Sequence, residues 1–221
     1  MRRFKSIIIC EDVNSEVNKI LGNNYKSISN RYNKNDDVYA KVATLIEDSE
    51  IEIVLVVNSN YSIGLIKSSH CTNEYKNALH IFHHELSHIH DFNKKIDIFK
   101  NEMLNNKYDG IDKITYPIAE ICWSEYIANF MSSSSTTKSS FPKVMANSLV
   151  DLINVTSQSI NTNLMVCKIN KNRVDLIEDI ISQIETICKT ASYLLGYLHG
   201  LNIRLDDISD EVLFQVEKSH F

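Results

Sequence analysis

His84, Glu85, Leu86, Ser87 and His88 spell H-E-x-x-H. On an α-helix, positions four apart lie on one face, one turn from each other. Two imidazoles placed so can grip a single zinc ion. Glu85 follows the first histidine and sits about 100° further round the helix. There it can reach a water on the same metal and take its proton.

A catalytic zinc keeps three protein ligands and leaves a fourth position for water. Several groups compete for the third place. Asp91 lies three residues after His88 on the same predicted helix, as His80 lies one turn before His84. A straight helix would have to aim three side chains at one point, so Asp91 fits better as a group that orients a ligand histidine, or as plain helix-face solvation. His83 and His90 point away from the pair. Downstream, the segment AEICWSEYIANF offers Glu125 among Ile121, Cys122, Ile127, Ala128 and Met131. A carboxylate in such apolar company needs a charge partner, because burying it alone is costly. Zinc would be one. Asn129, one turn on, is placed to hold a ligand histidine. Glu120 is the rival, but it falls near the expected helix start, where a carboxylate is favourable anyway.

HHELSHIHD followed by a helical W-S-E-Y-x-A-N resembles the gluzincin metallopeptidases. The E-x-x-A-N-x-F-like segment is also similar to the compact intracellular phage and bacterial peptidases of the ImmA/IrrE type. The resemblance covers about residues 65–131. It implies Zn2+ held by His84, His88 and Glu125, with Glu85 as the catalytic base and a peptide or protein as substrate. Asn129 stands where the family usually has Asp. The resemblance further implies that a strand at Tyr61 to Ile66 aligns the substrate through main-chain hydrogen bonds. It also implies that a later Tyr or His steadies the oxyanion. Tyr116, Tyr126, Tyr197 and His199 are available without a spacing argument for any; His199 is the candidate singled out, and its plainer role is to favour a helix C-terminus. Asp91 and Lys94 exclude a metzincin pattern. The alternative is a catalytically weak or inactive scaffold of the same kind, acting as a regulatory or interaction module.

These residues need elements to hold them. Ala78, Leu79, Phe82, Leu86 and Ile89 recur at steps of three and four and predict a helix across Cys71 to Lys94. Thr72 or Asn73 is its expected N-cap. Lys5 to Cys10 and Ile51 to Val57 read as buried strands, and Val13 to Leu21 as a helix. Asp37 to Glu47 fits a helix, with Val38, Val42 and Leu45 on one side. Asn58 to Asn60 reads as a turn into the strand at Tyr61 to Ile66. Gly22 to Asp37 and Asn105 to Asp112 read as loops. Tyr116-Pro117 opens the Glu125 helix, and the Ser-rich stretch Ser132 to Ser140 reads as a flexible loop or linker. Long helices follow at about Phe141 to Lys168 and Arg173 to His199, with Gly200 as the stop. A last helix is expected at about Ile208 to Lys218.

The fold class expected is α+β, predominantly helical, in a single zincin-like domain over 1–221. Residues 1–66 make a small sheet with helices, 67–131 the zinc helices, and 141–221 a helical bundle completing a shared core. A hydrophobic content of 43% can fill such a core, and only 5 Gly and 2 Pro favour long helices. A net charge of −5 gives no sign of a nucleic-acid surface. The opening residues hold too few apolar positions for a signal peptide or membrane span. The 5 scattered cysteines, with no C-x-x-C pair, read as reduced thiols in a cytoplasmic protein.

Overall fold

The computed structural model describes residues 3–22, 39–47, 50–70, 72–99, 108–136, 141–208 and 214. The protein is α+β and predominantly helical, and it divides into two compact units, Met1–Asn105 and Asn106–Phe221.

The first unit is built on a three-stranded sheet. Its elements are β1 (Phe4–Cys10), α1 (Val13–Leu21), β2 (Ala40–Glu47), β3 (Glu50–Asn58), α2 (Ser59–Lys67) and α3 (Asn73–Phe99). The strand order is β1-β3-β2, parallel between β1 and β3 and antiparallel between β2 and β3. β3 is central and buried on both faces, which is why it reads as an unbroken apolar run. Val54 and Val56 meet Val13, Val17 and Leu21 of α1 on one side. Ile53, Leu55 and Val57 meet Ile89, Phe82, Leu86 and Phe92 of α3 on the other.

Two elements differ from the sequence expectation. The helix expected at Asp37 to Glu47 is strand β2, paired with β3 from Ala40↔Val57 to Glu47↔Glu50. Val42 and Leu45 satisfy a helical step, but pairing along the open edge of β3 outweighs that local fit. The strand expected at Tyr61 to Ile66 is helix α2. The Asn58 side chain accepts a hydrogen bond from the Asn60 N–H at 2.9 Å and starts the helix, so the expected turn is an N-cap. No substrate-aligning strand exists at those residues. The loop expected at Gly22 to Asp37 lies, after Gly22, outside the described residues.

The second unit holds α4 (Asp112–Ser132), α5 (Phe141–Asn170) and α6 (Arg173–Leu201), with short 3-10 turns at Ser133–Ser135 and Leu205–Asp207. α4 begins at Asp112, so Pro117 lies inside it rather than at its opening. α5 and α6 form an antiparallel hairpin over Ala146, Leu149, Leu194 and Leu198. α6 runs parallel to α4 at very short range. A β-carbon on Gly200 would fall 2.4 Å from the Phe130 carbonyl oxygen and 2.2 Å from Ser133 Oγ. Gly200 is therefore a point of helix contact rather than a stop. α6 ends one residue later and is capped by Asn202 in the left-handed region, at φ 53°. Ser132 and Ser133 are buried, so the described start of the Ser-rich stretch is packed structure and not a flexible linker. The helix expected at about Ile208 to Lys218 lies almost wholly outside the described residues, as do residues 105–107 of the loop expected before α4. Among the described residues, no helix is long and apolar enough to cross a membrane.

Candidate metal centre

The residues in question are carried by α3 in the first unit and α4 in the second. α3 is continuous through the H-E-x-x-H segment, and the Thr72 hydroxyl caps its start by accepting from the Tyr75 N–H at 3.2 Å. Burial of Phe82, Leu86 and Ile89 against β3 fixes the rotation of the helix about its axis. His84 and His88 are thereby carried on another side of it, both half-buried. Their Nε2 atoms stand 3.0 Å apart, with the two rings at 88° to each other. Two nitrogens on one tetrahedral zinc stand about 3.3 Å apart, from Zn–N bonds of about 2.05 Å. The imidazoles are thus set close to the edge of such a coordination sphere. Glu85 is half-buried beside them in sequence.

The histidine face is more enclosed than a solvated helix face. His80, Ser87 and Asp91 are all buried. Asp91 receives the Lys95 ammonium at 2.8 Å, an i,i+4 pair that fixes its carboxylate. Ser87 donates to the His83 carbonyl at 2.7 Å and so adds no ligand atom.

In the second unit Glu125 is 5% exposed, as its apolar neighbours in sequence foretold. Its charge partner within the unit is Lys189 of α6, whose Nζ lies 3.4 Å from Oε1. Lys189 gives no local signal in the sequence, because only the parallel packing of α4 on α6 brings it to Glu125. Asn129 is also buried, and its Nδ2 donates to the Glu125 carbonyl at 2.7 Å, an interaction within its own helix. Burial pushes the Tyr197 phenol well above its ordinary pKa, and the negative charge of Glu125 pushes it the same way. Burial likewise raises the Cys122 thiol, one turn before Glu125.

Tyr126 and His199, expected separately as oxyanion candidates, are brought together. The Tyr126 hydroxyl and His199 Nδ1 lie 2.8 Å apart, bridging α4 and α6. Tyr116 is exposed and stacks on Tyr108, with ring centroids 4.2 Å apart. Tyr197 packs edge-on against Phe141.

Compared with protein-family models, with curated proteins and with solved structures, the chain matches none.

Proposed function

We propose that the chain is a zinc-dependent peptidase in which His84, His88 and Glu125 hold the metal and Glu85 is the base. The observation that carries this reading is the 3.0 Å approach of the His84 and His88 Nε2 atoms on a helix that also bears Glu85. Two imidazole nitrogens and one carboxylate oxygen are a donor set that zinc favours, and these three residues make up such a set. Zinc, when bound, would supply a Lewis acid and lower the pKa of a coordinated water. Glu85 would take the proton of the attacking water and pass it to the leaving amine. The Tyr126–His199 pair offers a hydroxyl and an imidazole for a developing oxyanion. The substrate would be a peptide or protein. A reducing, cytoplasmic setting is part of the proposal, supported by free Cys10, Cys122, Cys167 and Cys188.

The test is metal analysis of the purified protein beside Glu85→Gln. Glu85→Gln keeps the shape and loses the base. It should bind one zinc as the parent does while hydrolysis of a casein-type substrate falls by about 10²-fold or more. Equal turnover in the two proteins removes Glu85 from the mechanism. Absence of stoichiometric zinc in both removes the metal.

One observation favours the second reading, a regulatory or interaction module on an inactive scaffold. Lys189 already supplies a cation to Glu125, so burial of this carboxylate does not by itself require a metal. The same zinc measurement separates the two.

A further inference from the structure

Lys189 stands beside Glu125 in a way that lets it leave. Its Nζ lies 3.4 Å from Glu125 Oε1. Tight charge-assisted N–H···O contacts close to about 2.7–2.9 Å, so these two groups attract each other without a short hydrogen bond. They are also unequally enclosed. The side chain of Glu125 is 6% exposed and that of Lys189 27%. The carboxylate is held inside, whereas the ammonium ends a flexible stem that can carry it toward water. The Tyr193 ring, one turn further along α6, has its centroid 5.6 Å from Nζ. An ammonium within about 6 Å of an aromatic centroid is attracted by the ring. Glu185 lies one turn before Lys189, a spacing at which opposite charges on a helix attract. Lys189 thus gives up Glu125 at little cost. Glu125 cannot do the same unless a second cation arrives.

We propose that Lys189 is a built-in competitor of the metal, an inference that rests on the reading of Glu125 as a zinc ligand. The Lys189 ammonium holds the Glu125 carboxylate in the metal-free protein and moves toward Tyr193, Glu185 and water when zinc takes that carboxylate. Zinc then binds only by displacing an internal cation. Its apparent affinity falls in proportion to the fraction of molecules whose carboxylate is open. A contact made in about nine molecules of ten raises the apparent Kd about tenfold. Lys189 thereby sets a threshold of free zinc below which the site stays unloaded.

The test measures the zinc affinity of the full-length chain by competition with a chromophoric chelator. Lys189→Met removes the charge and nearly keeps the length, and it should bind zinc about tenfold more tightly than the parent. Lys189→Arg keeps the charge and should show no such gain. Equal affinity of the parent and Lys189→Met, or an equal gain in Lys189→Arg, would overturn the proposal. A second measurement needs no variant. The parent is pulse-labelled with an amine-acylating reagent, with and without zinc, and digested for mass spectrometry. Zinc should raise the labelling of Lys189 about threefold or more relative to Lys19, which is exposed and paired with Glu16 in α1. Labelling of Lys189 that zinc leaves unchanged or lowers would also overturn it. The metal reading fails in a different way. If neither the parent nor Lys189→Met binds zinc, the metal site itself is removed, and this inference with it.

Discussion

Gly196 and Asn129 meet so closely that a β-carbon at position 196 would stand 2.8 Å from the Asn129 Cβ. It would also stand 2.5 Å from the Tyr126 carbonyl oxygen, a backbone atom that cannot turn aside. Gly196 and Gly200 together let α6 lie against α4 almost backbone to backbone. This contact sets the depth at which Lys189, Tyr197 and His199 reach α4. Gly196→Ala should therefore cost about 3 kcal/mol or more by overpacking. Urea denaturation followed by circular dichroism measures it. An unchanged midpoint would mean that the two helices separate without penalty.

Lys189→Met distinguishes two roles for Glu125. Without the ammonium the buried carboxylate loses its cation within the second unit, and the metal-free protein should lose about 3 kcal/mol. If Glu125 is a zinc ligand, added zinc should restore much of that loss, because a ligand that binds only the folded state stabilises it. Melting curves with and without zinc give the answer. No recovery would place Glu125 outside the metal set.

Tyr197 predicts an alkaline limit to stability. Its folded-state pKa is raised, first by burial and then by the charge of Glu125. The unfolded phenol titrates near pH 10. Below that pH both states hold the proton and the contribution is constant. Above it the unfolded state sheds the proton while the folded state keeps it, so stability falls as pH rises. Tyr197→Phe should flatten this fall above about pH 10. Melting temperatures across that range would show it, and parallel curves for the two proteins would contradict it.

Asn58 ties the end of β3 to the start of α2. Its side chain accepts from Asn60 N–H and donates to the Glu11 carbonyl at 2.8 Å. Asn58→Ala should lose about 1–2 kcal/mol. Asn58→Asp keeps the cap and loses the donor, so it should recover part of this. Equal stability of all three proteins would count against the cap.

The histidine helix is legible because its apolar steps from Ala78 to Ile89 and its chemistry agree, although it runs on past the expected Lys94 to Phe99. Glu125 was legible because its neighbours are apolar. β2 was not, since Val42 and Leu45 also suit a helix, and only the vacant edge of β3 decides for a strand. α2 reads as a strand for the converse reason. Tyr61, Ile63 and Leu65 alternate like a strand, while the cap at Asn58 and the contact of Gly64 with Ala78 favour a helix. Lys189 beside Glu125 and the Tyr126–His199 pair were out of reach. They depend on the register of α4 against α6, which two glycines set and no local pattern reports.

The sheet order β1-β3-β2 also bears on how the first unit forms. Glu47 and Glu50 are cross-strand partners, so β2 and β3 can pair after closing a very short loop. Ile8 pairs with Val56, 48 residues away, so β1 closes a far longer loop and its ordering costs more chain entropy. The early structured species in refolding should therefore be the β2–β3 hairpin with α3 laid against Ile53, Leu55 and Val57, and β1 should join last. Mutations in β1 would then speed unfolding far more than they slow folding.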